Sequence, residues 1–84
     1  MAYRVSIRRK AQKQLDAIQE QYRERIIAGV FALDEDPRPP GCRKLRGREE
    51  WRIRVGDYPA IYEIDDEARE VLILDIGHRR DIYR

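Results

Sequence analysis

Two arginines, Arg52 and Arg54, alternate with apolar residues in the run WRIRV near the middle of the chain. In an extended strand, residues two apart point to the same face, so these two side chains are expected to share one surface. A guanidinium is planar and permanently charged, and it donates paired hydrogen bonds to phosphate groups. The pair therefore predicts a surface that binds a polyanion.

Other basic residues extend this surface. The net charge is +5 from Arg38 to Arg54 and −5 from Val55 to Glu70, so the near-neutral total of +2 conceals a strong segregation. Such segregation favours a polyanion-binding face. The alternative is that Arg52 and Arg54 pair with the carboxylates of the acidic segment. The residues predicted to bind the polyanion lie in a basic loop and in the C-terminal tail: Arg43, Lys44, Arg46, Arg48 and Arg80.

His78 is the only histidine and the best candidate for acid–base chemistry, because its ordinary pKa is about 6.5. The alternative is a polar residue at the rim of the site. With one histidine and one cysteine (Cys42), the chain cannot form an internal disulfide or a four-ligand Cys/His zinc site. Ser6 is the only serine and lies in a strand-like run, which argues against a Ser–His–Asp site. We expect no metal and no cofactor.

The length of 84 residues suits a single domain covering residues 1–84. The chain contains no apolar run near the ~20 residues that span a bilayer, and it does not open with a signal-peptide pattern. We therefore expect a soluble, cytoplasmic protein without a membrane partner.

Hydrophobic periodicity predicts the elements that position these residues. A strand over Tyr3 to Ile7 precedes two amphipathic helices joined by little or no loop, the second of which ends at Asp36-Pro37. On the first helix the apolar residues share one face, and the opposite face is expected to be mostly in water. That opposite face carries Lys10, Lys13, Gln14, Asp16 and Gln21.

The second half of the chain predicts an antiparallel meander. An extended connector, PRPPG, leads to strands over Trp51 to Val55, Tyr58 to Ile64 and Val71 to Ile76. The last of these is apolar on both faces, which indicates a central strand. The fold class is α+β in the order β-α-α-β-β-β, with an antiparallel-rich sheet of about four strands packed against the helical hairpin.

An ordered set of motifs resembles the RelE branch of the RelE/ParE toxin superfamily over nearly the whole chain. The set is YRVSI, PRPPG, KLRG, WRIRVGDY, IYEI and GHRRDIYR. The resemblance implies the toxin of a type II toxin–antitoxin pair, with a cognate antitoxin as one partner and the ribosome, carrying mRNA in its A site, as the other. It also implies metal-independent endoribonuclease activity, in which a ribose 2′-oxygen attacks the adjacent phosphate.

The same resemblance implies a catalytic set of Arg52, Arg54, Arg79 and Tyr83, to which the acid–base argument adds His78. Arg52 and Arg54 are assigned to the phosphate and to transition-state charge, since an arginine is a poor base. Arg79 would be a second clamp, and Tyr83 would stack on a base or orient the 2′-hydroxyl.

Pro59 departs from the family pattern, which usually has an arginine at this position, so it removes one expected phosphate contact. A proline also lacks the backbone donor of an interior strand. This departure leaves two alternatives to the nuclease: a ParE-like inhibitor of a topoisomerase that cleaves nothing, or an inactive relative that only binds an antitoxin.

Overall fold

The computed structural model describes residues 2–45 and 49–77, and within them two helices cover one face of a mixed sheet. The strands are β1 (Arg4–Ile7), β2 (Arg43–Lys44), β3 (Glu50–Val55), β4 (Tyr58–Asp65) and β5 (Glu70–Ile76), in the order β1-β5-β4-β3-β2. The helices are α1 (Arg9–Asp16) and α2 (Glu20–Phe31), with a 3-10 turn at Ala32–Asp34. The α+β class and the central position of β5 are confirmed. Neither helix is long and apolar enough to cross a membrane within these described ranges.

The sheet contains one more strand than the sequence predicts. Arg43 and Lys44 pair antiparallel with Arg52 and Trp51, so a two-residue strand forms the outer edge beside β3. Two residues are too short for the periodicity of side chains to reveal a strand. The meander over β3, β4 and β5 is antiparallel as predicted, whereas β1 runs parallel to β5.

The core lies between the helices and the sheet. Tyr62 is completely buried, and its hydroxyl donates a 2.7 Å hydrogen bond to the carbonyl oxygen of Pro37, so its polar end is satisfied where water is excluded. Burial raises the pKa of the Tyr62 hydroxyl, which keeps it a donor. Around Tyr62 pack side chains from both layers: Ala11, Leu15, Ile26, Val30, Leu33, Ile53, Ala60, Val71, Ile73 and Ile76.

The outward face of α1 is only partly in water. Gln14 is half-buried and hydrogen-bonds to Ile76 and Asp75 of β5, and Lys10 lies 3.1 Å from the Asp75 carboxylate. The expectation that these residues belong to a face mostly in water holds for Lys10, which is exposed, and was wrong for Gln14. Strand β1 pairs with β5 only as far as Ile73, so the next residues of β5 lie beside the helix instead.

The hairpin between β3 and β4 turns in two residues, Gly56 and Asp57. Gly56 has φ +61°, while Asp57 keeps a negative φ, which is the pattern of a type II′ turn. Because this turn matches the natural twist of the strands, it fixes the register that places Arg54 opposite Pro59.

Helix α2 approaches β3 closely at Gly29. A Cβ atom at this position would lie 2.8 Å from Cγ2 of Val55, closer than packed side chains approach. At an unconstrained position inside a helix, replacing glycine by alanine stabilises the helix by about 1 kcal/mol. We expect Gly29→Ala to destabilise the fold by about 1–3 kcal/mol, because overpacking outweighs the gain in helix propensity.

Urea denaturation of Gly29→Ala and of the neighbouring Ala28→Gly variant tests this expectation. Ala28 is exposed on the same helix and reports the propensity difference alone. A Gly29→Ala protein more stable than the parent would show that the close approach imposes no constraint.

Candidate functional site

Arg52 and Arg54 lie on the sheet face that the helices leave open. Between them Ile53 points into the core and is only 7% exposed, so the strand pleat directs both arginines the opposite way. Arg54 is exposed and Arg52 is half-buried. The strand is thus held by one face while it presents charge on the other.

The cross-strand neighbours of these arginines on β4 are apolar. Register places Arg52 opposite Ile61 and Arg54 opposite Pro59, while the carboxylate residue Glu63 lies opposite Glu50. Neither arginine therefore lies directly across from a carboxylate of β4. Within the described part of the chain, Arg54 makes no ion pair.

Three apolar residues of β4 and β5 lie beside the arginines and are called the apolar floor: Pro59, Ile61 and Leu74. Pro59 is fully buried, and Ile61 and Leu74 are 5% and 8% exposed, yet Ile61 and Leu74 lie outside the cluster between sheet and helices. Charged groups at the edge of an apolar, water-poor surface interact more strongly with an anion than they would in bulk water. The open face thus combines two guanidinium groups with apolar side chains that are themselves buried.

Pro59 fits an interior strand because of its register. The N–H of Gly77 donates to the carbonyl oxygen of Pro59 at 3.3 Å, so the backbone polar groups of Pro59 point toward β5 rather than β3. Since β5 ends at Ile76, the missing donor of the proline removes no bond of the β3–β4 ladder.

The remaining predicted binding residues divide between the two faces. Arg43 is directly opposite Arg52, so it shares the open face with Arg52 and Arg54. Lys44 is opposite Trp51 on the other face, and its Nζ lies 3.8 Å from a Glu49 carboxylate oxygen. The other predicted site residues lie outside the described residues: Arg46, Arg48, His78, Arg79, Arg80 and Tyr83.

A polar network holds the connector before β2 against β3, and sequence reasoning missed it. Arg38 donates two hydrogen bonds to the Asp66 carboxylate, at 2.9 and 3.3 Å, and its guanidinium lies 5.0 Å from the centre of the Trp51 ring. The Tyr3 hydroxyl donates to the same carboxylate at 2.7 Å. The Arg38 hydrogen bonds, together with that from Tyr3, lower the pKa of Asp66. The only sequence signal was the opposite charge of Arg38 and Asp66.

The described residues form no group of three or more His, Cys, Asp or Glu side chains that could hold a metal ion.

Comparisons with known proteins agree with this architecture. Residues 5–83 match the family model of the ParE toxin of the type II toxin–antitoxin system parDE. Toxin RelG of Mycobacterium tuberculosis is 33% identical over 88 residues, which cover 100% of this chain and 99% of the relative.

Two solved complexes contain a chain with the same fold. The toxin–antitoxin complex RelBE2 of Mycobacterium tuberculosis matches with a TM-score of 0.83 and 27% identity, over 94% of this chain and 100% of the other. The archaeal RelE–RelB complex of Pyrococcus horikoshii matches with a TM-score of 0.83 and 28% identity, over 94% and 97%. The chain therefore belongs to the ParE toxin family, within the RelE/ParE superfamily, and is the toxin of a type II toxin–antitoxin system.

Proposed function

We propose that this toxin is a ribosome-dependent mRNA endonuclease of the cytoplasm that cleaves by attack of a ribose 2′-oxygen on the adjacent phosphate, without a metal ion. The observation that carries the proposal is the grouping of Arg43, Arg52 and Arg54 on the open face of the sheet, beside a buried apolar floor. Similarity to RelE and RelG proteins supports the same reading.

The arginines would act on the phosphate rather than on the proton. A guanidinium is a cationic hydrogen-bond donor with no acceptor atom, so these side chains can neutralise the charge that develops on phosphorus but cannot accept the 2′-hydroxyl proton. That transfer is assigned to His78, with Tyr83 orienting the ribose and Arg79 acting as a second clamp. These residues follow Gly77, the last described residue, which is hydrogen-bonded to Pro59.

The ribosome would supply the geometry that this small site does not. The arginines of the open face cannot themselves accept the 2′-hydroxyl proton, so the substrate has to be held in an attack conformation by another surface. Positioning of that kind contributes several orders of magnitude in rate, roughly 7–11 kcal/mol at its largest. Messenger RNA in the ribosomal A site meets this need.

A second candidate, a ParE-like inhibitor of a topoisomerase, is favoured by one observation. Pro59 occupies the position directly opposite Arg54, where the family usually has an arginine, and it is fully buried. A toxin that no longer needed to hold a phosphate there would tolerate this change. An inactive relative that only binds an antitoxin would tolerate it equally.

The partner in the cell would be a cognate antitoxin. Two toxins of the same fold are found in complexes with RelB-type antitoxins. Here Tyr22, Ile27 and Phe31 of α2 are 37%, 37% and 43% exposed, although a solitary domain would gain by burying them. Ile27 and Phe31 are four residues apart and form one apolar surface on the helix.

The first prediction from the proposed function tests cleavage itself. On ribosomes programmed with a defined mRNA, the toxin is expected to produce cuts at fixed positions within codons, mapped by primer extension, and Arg54→Ala is expected to cut about 10²–10³-fold more slowly. Naked RNA, in the presence of a chelator, is expected to remain intact.

Arg4→Ala is the matched control for that experiment. Arg4 is 82% exposed on the open face of β1, three strands and roughly 14 Å from β3, and should cut at the parental rate. If no site-specific cuts appear with the parent toxin, the nuclease proposal is wrong and inhibition of a purified topoisomerase becomes the next assay.

A second prediction concerns Pro59. Replacing it by arginine restores a charged donor on the same face as Arg54 without removing a ladder hydrogen bond, so Pro59→Arg is expected to increase growth inhibition. The parallel variant Arg79→Ala is expected to abolish the toxicity of the parent. Circular dichroism establishes that each variant folds, which matters because Pro59 is buried. A folded Pro59→Arg toxin no more toxic than its parent would contradict the prediction.

A third prediction concerns the antitoxin. Phe31→Glu places a charge on the exposed apolar surface of α2 and is expected to weaken binding of the cognate antitoxin at least tenfold by calorimetry, because that charge would have to be desolvated in the complex. Gln21→Glu, an exposed position of the same helix, adds the same charge as a control. Equal affinity of both variants would place the antitoxin elsewhere.

A further inference from the structure

The last residues of β5 lose their strand partner before the strand ends. On one edge, β1 reaches only Ile73, where the N–H of Arg8 donates to the Ile73 carbonyl oxygen at 2.9 Å and the chain turns into α1. Residues 74 to 76 continue beyond that point. A strand edge buried against a helix has no regular partner for its backbone donors and acceptors.

The side chain of Gln14 takes the place of the missing strand. Its Oε1 accepts a 2.9 Å hydrogen bond from the N–H of Ile76, and its Nε2 donates to Oδ1 of Asp75 at 3.2 Å. The chemistry of the partners fixes the orientation of the amide, since a backbone N–H can only donate and an ionised carboxylate can only accept. Glutamine is the residue type that satisfies both with one side chain of this length.

The same stretch of β5 is held from its other edge and from the helix. The carbonyl oxygen of Pro59 accepts from the N–H of Gly77 at 3.3 Å, and Lys10 Nζ lies 3.1 Å from Asp75 Oδ1. A register shift between β4 and β5 falls here, because Ile61 pairs with Asp75 and Tyr62 with Ile73, which leaves Leu74 as the extra residue. The irregular strand end thus depends on side-chain contacts for its direction.

We propose that Gln14 is a positioning residue for the proposed nuclease reaction: it holds the end of β5 at Ile76, from which the chain continues through Gly77 into the residues assigned to proton transfer and phosphate clamping. The inference rests on the proposed function. Gln14 itself lies on α1, on the helix side of the sheet, and acts through the backbone of β5.

The experiment compares three variants with nearly equal helix propensity. Gln14→Met keeps the length of the side chain and removes both hydrogen bonds, whereas Gln14→Glu keeps an acceptor for Ile76 but sets a second carboxylate beside Asp75. Gln12→Met is the control, because Gln12 is exposed on the same helix and bonds only to Asp16, at 2.9 Å.

The first readout is amide hydrogen exchange by NMR. In Gln14→Met the Ile76 amide is expected to exchange at least tenfold faster than in the parent, while the Ile53 amide in the middle of the sheet exchanges at its parental rate. Gln14→Glu is expected to exchange faster than the parent at Ile76 as well, because its carboxylate repels that of Asp75, and Gln12→Met is expected to keep the parental rate. Unchanged exchange in Gln14→Met, or equal acceleration in Gln12→Met, would overturn the assignment.

The second readout is cleavage on programmed ribosomes. Gln14→Met is expected to lower kcat at least tenfold with KM within twofold of the parent, and Gln12→Met is expected to keep the parental kcat. Faster Ile76 exchange with an unchanged kcat would refute a positioning role. If the parent toxin cuts no mRNA, the proposed function is wrong, and so is the role of Gln14 in cleavage. The amide exchange comparison decides independently whether Gln14 holds the end of β5.

Discussion

Burial of one sheet face against two short helices is the constraint on which the rest of this structure depends. Tyr62 fills the middle of that layer and ties it to the connector through its hydrogen bond to Pro37. Because the side-chain period of a strand is two, every residue of β3 fixed on the covered face directs its neighbours to the open face. The arginines reach a common surface as a consequence of how Ile53 is packed.

The segregation of charge along the sequence becomes a separation in space. Arg43, Arg52 and Arg54 gather on the open face beside the outer strands, whereas the Arg38–Asp66 pair and the carboxylates near the β4–β5 turn lie at the other end of the sheet. A phosphate backbone approaching the protein would be attracted to one end and repelled by the other. The chain can therefore be nearly neutral overall and still orient a polyanion.

Periodicity was sufficient for the parts of the fold in which burial repeats regularly. The β3–β4–β5 meander, the two helices and the shared face of Arg52, Arg54 and Pro59 all follow from alternation or from helical spacing. The short strand β2 does not, because two residues are too few to show alternation. The parallel pairing of β1 with β5 and the Gln14 contact do not, because each depends on a neighbour distant in sequence. Gln14 occupies a polar stripe of α1. The neighbouring sequence does not distinguish a glutamine exposed to water from one that hydrogen-bonds to a strand edge.

The parallel pairing of β1 with β5 has a consequence for how the chain acquires its structure. Arg4 through Ile7 are made well before their strand partner, Glu70 through Ile73, because a long stretch of chain separates the two strands. Closing so long a loop costs conformational entropy before any contact repays it, which slows folding. A toxin built this way cannot complete its sheet until most of β5 has been synthesised. The nascent chain therefore carries β1 without its strand partner until then.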